Sequence, residues 1–328
     1  MSTTQPRTRL FFAADLRGST RCFRKFLNAA EAYDADLLVL AGNLTGHRLI
    51  PMVGAGAGTG AGTGPRQTTL GGRPLHLETR REIAEFENAA ADTGAYAVRV
   101  TPDVLHALDQ DPSFVDRTFR RLATERLAEW LDMAFERPGP RPHRTVVSCG
   151  NDDPVELDTL IDTCAAVERA DAAPVVVDDH HVLVGCGWTP ISCWRSERER
   201  SEAEISRLLD DSVRQALAVR EQVILDVHTP PYDSGIDDTP ILDDTLRPRT
   251  EAGQPIFGPG GSTAVRQAIE THRPVLSLHG KTHEGRGAVR LGDTFAVNPG
   301  SESAEGILRG VVVDLGSHGM TTHLLTSG

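Results

Sequence analysis

Lysine is nearly missing from this chain. Only Lys25 and Lys281 occur, and arginine carries almost all of the positive charge. Acidic residues still outnumber basic ones, for a net charge of −12, and they are dispersed rather than gathered in a tail. A nucleic-acid surface needs a basic stripe, so no extended nucleic-acid footprint is expected. The same balance argues against docking on an anionic membrane. No run approaches the roughly 18 apolar residues of a membrane span. The opening MSTTQPRTRL lacks the apolar segment of a secretory signal. Cysteine is scarce too: five residues (Cys22, Cys149, Cys164, Cys186, Cys193), an odd set without a CxxC pair. That excludes a disulfide framework or a cysteine zinc site, and the expectation is free thiols in a reducing compartment, the cytoplasm.

What is present is a long, ordinary soluble composition. At 328 residues the chain can bury a core without a disulfide or metal staple. Leu10–Ala14 reads as a buried strand, residues 20–33 carry apolar positions at helical spacing, and Leu37–Leu40 reads as a second strand. Strand, helix and strand within about 30 residues make a βαβ unit with parallel strands. Helical patterns follow at 79–93 and 113–136, then strands at 145–148, 174–177 and 182–184. A charged helix is expected over 196–219, a strand over 222–227, a helix near 262–271, a strand over 275–278 and a strand meander over 287–326. Residues 53–64 place glycine at even positions only, so GxGxxG cannot be met and no phosphate cradle is predicted. The stretch 53–72 reads as an inserted flexible loop in one domain spanning 1–328.

One event recurs along this pattern. An apolar strand ends, and a residue able to bind metal stands at or just beyond its C-terminal end: Asp15, Asn43, Asn151, His228 and His283. In open α/β sheets, ligands bind outside the carboxyl ends of the strands. Any one of these residues alone reads as a turn former or a satisfied polar group. Five in succession point to one site.

The order of these residues resembles the calcineurin-like metallophosphoesterases, whose motifs run D-x-H, G-D, G-N-H-D/E, an isolated His and G-H-x-H. Here they read Asp15-Leu16-Arg17, Gly42-Asn43, Gly150-Asn151-Asp152-Asp153, His228 and Gly280-Lys281-Thr282-His283. The stretches GSTRCFRKFLNAAE, NDDPVELD, HTPPYDSGIDDTPILDDTLRP and NPGSESAEGILRG are similar to a prokaryotic stand-alone branch of that family. The resemblance implies an α/β fold: a four-layer αββα sandwich of two mostly mixed sheets flanked by helices. It also implies hydrolysis of phosphomonoesters, phosphodiesters or nucleotides with two divalent ions (Mn, Fe or Zn). Position by position it makes Asp15, Asn43, Asn151, His228 and His283 the metal ligands, and Asp152 and His228 the catalytic pair.

Three departures weaken that centre. Arg17 stands where a ligand His is expected, Asn43 where the bridging Asp is expected, and Lys281 where the first His of G-H-x-H is expected. Two divalent ions bring four positive charges, yet Asp15 is the one matched carboxylate and Arg17 and Lys281 add two cations. The expectation is one divalent ion or none. Three functions follow: a phosphoesterase with a rearranged centre, a catalytically silent relative that binds phosphate or nucleotide through Arg17, Lys281 and Asn151, or a purely structural role with a salt-bridged, empty pocket. The implied partner is a phosphorylated small molecule or nucleotide. His180-His181 reads as a polar hairpin tip, and Asp233, Asp237 and Asp238 as a solvated loop.

Overall fold

A computed structural model describes residues 7–54, 64–70, 72–136 and 143–328. Alternation along each strand explains the layers. In Thr8–Ala14, residues Leu10, Phe12 and Ala14 enter one core while Phe11 and Ala13 enter another. In Leu37–Ala41, Leu37, Val39 and Ala41 join the first set, and Leu38 and Leu40 the second. A strand buried on both faces reads as a continuous apolar run, which is why these segments show no amphipathic pattern in the sequence.

The first sheet runs 319–327, 309–316, 8–14, 37–41, 144–147, with the last three parallel and 309–316 antiparallel to 8–14. The second runs 287–291, 294–298, 276–278, 222–227, 181–186, 175–176, its four central strands parallel and both edges antiparallel. Leu10, Phe12 and Val311 of the first sheet meet Leu183, Ile224, Leu276 and Val297 of the second in one shared core. Outside the first sheet, Phe23, Phe26, Leu127 and Trp130 of helices Thr20–Ala32 and Pro112–Glu136 cover Phe11 and Leu38. Outside the second, Ile205, Leu209, Val265 and Ile269 of helices Glu202–Leu217 and Thr263–His272 cover Val184, Val223 and Leu225. The architecture is the expected four-layer αββα sandwich.

Several boundaries differ for physical reasons. The charged helix begins at Glu202, not 196, because Ser201 caps it: its hydroxyl accepts from the Glu204 N–H, and the Glu204 carboxylate accepts from the Ser201 N–H. Residues Glu199–Arg200 instead pair with Thr189–Pro190. The C-terminal meander is split, its first hairpin on the second sheet and its last on the first.

The insertion expected over 53–72 has strand at its ends. Residues 53–54 and 66–70 are strand, while 55–63 and 71 lie outside the described residues. These strands belong to a third sheet, ordered 73–77, 66–70, 48–54, 95–100, which the sequence pattern does not predict. Helix Arg80–Asp92 packs Ile83 and Ala90 against its Ile50 and Met52. Helix Pro102–Gln110 is a further addition, although Thr101 as cap and Pro102 in the first turn signal it. Among the described residues no helix is long and apolar enough to cross a membrane.

Candidate functional site

The five polar residues that follow strands converge because the strands carrying them are parallel and end at one edge. The first sheet delivers Asp15, Asn43 and Asn151, and the second His228 and His283, with Lys281 in the same loop as His283. The backbone bends hard to do this. Asp15 (φ 57°), Arg17 (φ 47°) and Lys281 (φ 62°) all adopt the left-handed conformation, as does Gly42 (φ 76°). For residues other than glycine that conformation is strained, and such strain clusters at functional sites.

Asp15 is buried and fully committed to the backbone. One carboxylate oxygen accepts from the Asn43 N–H at 3.0 Å and the other from the Lys281 N–H at 2.7 Å. The Ser301 hydroxyl donates to its carbonyl at 2.7 Å. Burial pushes the Asp15 carboxyl up, but neighbouring His228 and His283 and the Asn43 N–H outweigh it and hold it below the usual carboxylate value. Two motif glycines leave no room around it. A Cβ on Gly280 would lie 2.5 Å from Asp15 Oδ2, and one on Gly42 2.8 Å from Asp15 Oδ1 and 2.9 Å from His228 Nδ1.

Asn43 and Asp152 form a reciprocal pair. Asn43 Nδ2 donates to Asp152 Oδ2 at 3.0 Å, and the Asp152 N–H donates to Asn43 Oδ1 at 3.0 Å. The other Asp152 oxygen accepts from Asn151 Nδ2 at 2.6 Å and the Ser196 hydroxyl at 2.9 Å. The Arg17 guanidinium lies 3.7 Å from Asp152 and 3.1 Å from His47 Nδ1. With Asn151 Nδ2 turned to Asp152, its Oδ1 faces His228 Nε2 at 3.0 Å. An amide oxygen accepts, so the His228 proton sits on Nε2, facing Asn151. Burial drives this imidazole down to about 4, so it is neutral near pH 7, and its 4.0 Å approach to Asp15 is no ion pair.

Lys281 makes no direct ion pair among the described residues. Among the described residues no carboxylate lies within 4.0 Å of its ammonium. Burial pulls it below its ordinary value, opposed by Asp152, Asp15 and Glu199. Among the described residues, His283 Nε2 and His228 Nδ1 are buried without a hydrogen-bond partner.

This donor set does not fit a two-metal centre. The residue at the bridging position, Asn43, is an amide whose oxygen and nitrogen are both engaged by Asp152, His228 Nε2 is engaged by Asn151, and two cationic side chains, Arg17 and Lys281, flank the site. Two adjacent divalent ions need a bridging carboxylate and several free N/O donors. Among the described residues no group of three or more His, Cys, Asp or Glu is placed to hold a metal.

Further residues hold these loops in place. Asp153 is buried and accepts from the N–H groups of Leu44, Thr45 and Gly150 and from the Thr45 hydroxyl, joining two motif loops. Arg198, also buried, donates to the carbonyls of Asp153 and Pro154 and to both oxygens of Asp158. Asn298 Nδ2 lies 2.8 Å from the Thr282 carbonyl and 3.0 Å from that of Ile236, bracing the last motif. Residue spacing does not reveal most of these bonds, because they join segments distant in sequence. Asp237, expected in a solvated loop, is instead buried, accepting from the N–H groups of Asp233, Ser234, Gly235 and Gly261. His181 is buried against Asp178 rather than exposed at a hairpin tip.

Two cavities open from the centre. One of about 310 Å³ is lined by Asn151, Asp152, Phe119, Ala123, Arg195 and Ser196. The other, about 670 Å³, is lined by Arg17, His283, Arg286, Ser301 and Arg309. His47 borders both. A third, of about 550 Å³ on the inserted sheet, shares none of the motif residues.

No family model and no curated protein matches the chain. Among solved structures, a crystal structure aligns over 98% of this chain and 99% of its own at 16% identity with a TM-score of 0.55. TT1561 of Thermus thermophilus aligns over the same shares at 14% identity and TM-score 0.48. A phosphatase of Mycoplasma pneumoniae aligns over 99% of this chain and 94% of its own at 8% identity and TM-score 0.42. The first of these likenesses shows the fold shared along the whole chain.

Proposed function

We propose that this protein is a cytoplasmic, metallophosphoesterase-like protein that binds a phosphorylated small molecule at its strand ends without two-metal hydrolysis. One observation carries the reading: Asn43, where the family motif has its bridging carboxylate, is closed in a reciprocal hydrogen-bonded pair with Asp152. The centre is thereby balanced without added cations, with Asp15 and Asp152 against Arg17 and Lys281. A phosphate oxygen gains charge-assisted bonds from the Lys281 ammonium, which has no carboxylate in contact among the described residues, and from Arg17, held only loosely at 3.7 Å from Asp152. Asn151 lines the cavity of about 310 Å³ beside Asp152. His228, neutral near pH 7, adds no charge.

The test is calorimetric titration with inorganic phosphate. Binding that falls tenfold or more in both Arg17→Ala and Lys281→Met supports the reading, and no binding at millimolar phosphate refutes it. A second reading, phosphoester hydrolysis at a single divalent ion (Mn, Fe or Zn), is favoured by the buried, partnerless His283 Nε2 close to Asp15. Manganese-dependent turnover of p-nitrophenyl phosphate that disappears in His283→Ala would establish it instead. The family assignment has its own check. The triple variant Arg17→His, Asn43→Asp, Lys281→His gains manganese-dependent phosphodiesterase activity if the motifs are aligned correctly. A folded triple variant that binds no manganese refutes the alignment.

A further inference from the structure

We infer that the strand Gly319–Ser327 is a self-association edge: two copies of this chain pair these strands antiparallel across a two-fold axis and join their first sheets into one.

A free sheet edge offers unpaired N–H and C=O groups to any other strand, and charge, proline or shortness normally blocks it. The other edges of the three larger sheets are blocked in these ways. Across the first sheet, Arg144–Val147 has only 4 residues, and the Val147 N–H donates to the Glu168 carbonyl. The second sheet ends in the 2-residue strand Val175–Val176 and in Gly287–Leu291, which carries Arg290. The inserted sheet has Arg73 and Pro74 on one edge and Arg99 on the other. Gly319–Ser327 has none of these devices. It is 9 residues long and reads GMTTHLLTS, without proline, lysine, arginine, aspartate or glutamate. Thr321, Thr322, His323 and Leu324 are all exposed.

The hydrogen-bond pattern identifies the outward groups. Leu308 and Gly328 exchange both backbone bonds, at 2.8 and 3.0 Å, and the register continues through Gly310–Thr326 and Val312–Leu324. Bonded pairs alternate in an antiparallel ladder, so the N–H and C=O of His323, Leu325 and Ser327 point away from the sheet. A bulge opposite Asp314 and Leu315 ends the regular run beyond Thr322. Side chains alternate as well. His323 lies on the inner face, its ring centroid 4.5 Å from that of Phe295, and Leu324 lies on the helix-covered face beside Val312. Val312 is buried, yet Leu324 is 59% exposed.

These features select a second copy as the occupant. When His323 pairs with Leu325 of the second copy, and Leu325 with its His323, the two Leu324 residues face each other at the axis. They form a non-hydrogen-bonded pair, the kind in which side chains approach most closely. The exposed leucine is then buried against itself, and no other bonded register achieves this. A two-fold interface requires a patch complementary to itself. Identical strands set like charges opposite one another, so in a chain of net charge −12 such pairing requires an uncharged strand. Each copy has one such edge, and the assembly closes at two.

Sedimentation velocity of the full-length protein, from low to high micromolar concentration, is expected to show a monomer–dimer equilibrium. Leu324→Lys keeps an aliphatic stem at an exposed position but opposes two ammonium groups at the axis. His323→Pro removes an outward N–H that the ladder to 309–316 does not use. Each should raise the dimer dissociation constant roughly tenfold or more, while urea unfolding of the dilute protein shows both variants folded. The register is read by oxidation on a Cys193→Ser background, because Cys193 is exposed. Leu324→Cys should link two copies, and Thr322→Cys, facing Thr326 of the second copy, should not. A monomer at every concentration overturns the inference, as does an assembly larger than two. A dimer equally tight in both Leu324→Lys and His323→Pro places the contact elsewhere and overturns it too. Equal cross-linking of Leu324→Cys and Thr322→Cys overturns the register.

Discussion

Asn43→Asp places a carboxylate beside Asp152 and probes directly whether the centre is built as described. The change replaces an amide donor 3.0 Å from Asp152 Oδ2 with a carboxylate oxygen. A hydrogen bond to a charged acceptor, worth roughly 1.5–3 kcal/mol, is lost. Two like charges at about 4 Å repel by about 4 kcal/mol at the effective dielectric of a protein surface. Protonation caps the combined cost, because carboxylates this close share a proton and one of the pair titrates well above its ordinary value. The expected loss is about 3–5 kcal/mol at pH 8. The sign with pH follows from linkage. A carboxyl with a raised pKa binds more protons folded than unfolded, so stability falls as pH rises through that window. The deficit should therefore be largest at pH 8 and shrink as pH falls toward about 5. Urea unfolding of variant and parent at both pH values, without divalent metal, measures it. A variant as stable as the parent at pH 8, or a deficit that ignores pH, would refute the Asn43–Asp152 pairing and with it the charge argument against a two-metal centre.

Gly150→Ala should lower stability by about 1–3 kcal/mol and weaken phosphate binding, since its Cβ would sit 2.4 Å from Asn43 Oδ1 and 2.6 Å from the Asn43 nitrogen; unfolding midpoints and a phosphate titration check both. Asp153→Ala strands three buried N–H groups and should cost roughly 3–5 kcal/mol, even though burial raises the pKa of this carboxyl and makes its charge expensive. A loss below about 1 kcal/mol in denaturant melts would contradict its role as the clasp between the two motif loops. His279 is driven down to about 4 by burial, with Val227 accepting from Nδ1 at 2.9 Å and the Ser277 hydroxyl 2.8 Å from Nε2. Its folded pKa lies below the unfolded value, so the unfolded chain binds more protons and stability is lost as pH falls from about 6.5 to 4. In His279→Gln that limb of the stability profile should be shallower, and an identical slope would count against it.

Much of this protein is legible in its sequence. Strands buried on both faces appear as short apolar runs bounded by turns, and each lies near its expected limits because hydrophobic burial is written locally. The strand-end residues Asp15, Asn43, Asn151 and His228 are legible too, since the parallel connection of strands through helices forces their carboxyl ends to one edge. The inserted sheet is not, because 48–54, 66–70 and 73–77 carry mixed and polar faces that only their partners bury. Helix 102–110 escapes notice despite a readable cap, having no buried residue to mark its face.

The composition of the motifs was settled by sequence alone: an arginine, an amide and a lysine where three metal-binding residues stand in the family pattern. What those residues do was decided by tertiary structure. Only the folded chain turns the Asn43 amide onto Asp152, puts the His228 proton against Asn151, leaves Lys281 without a carboxylate, and ties the loops through Asp153, Arg198 and Asn298. Hydrogen bonds and desolvation depend on atoms from segments far apart along the chain, and no local pattern of residues encodes which of them will meet.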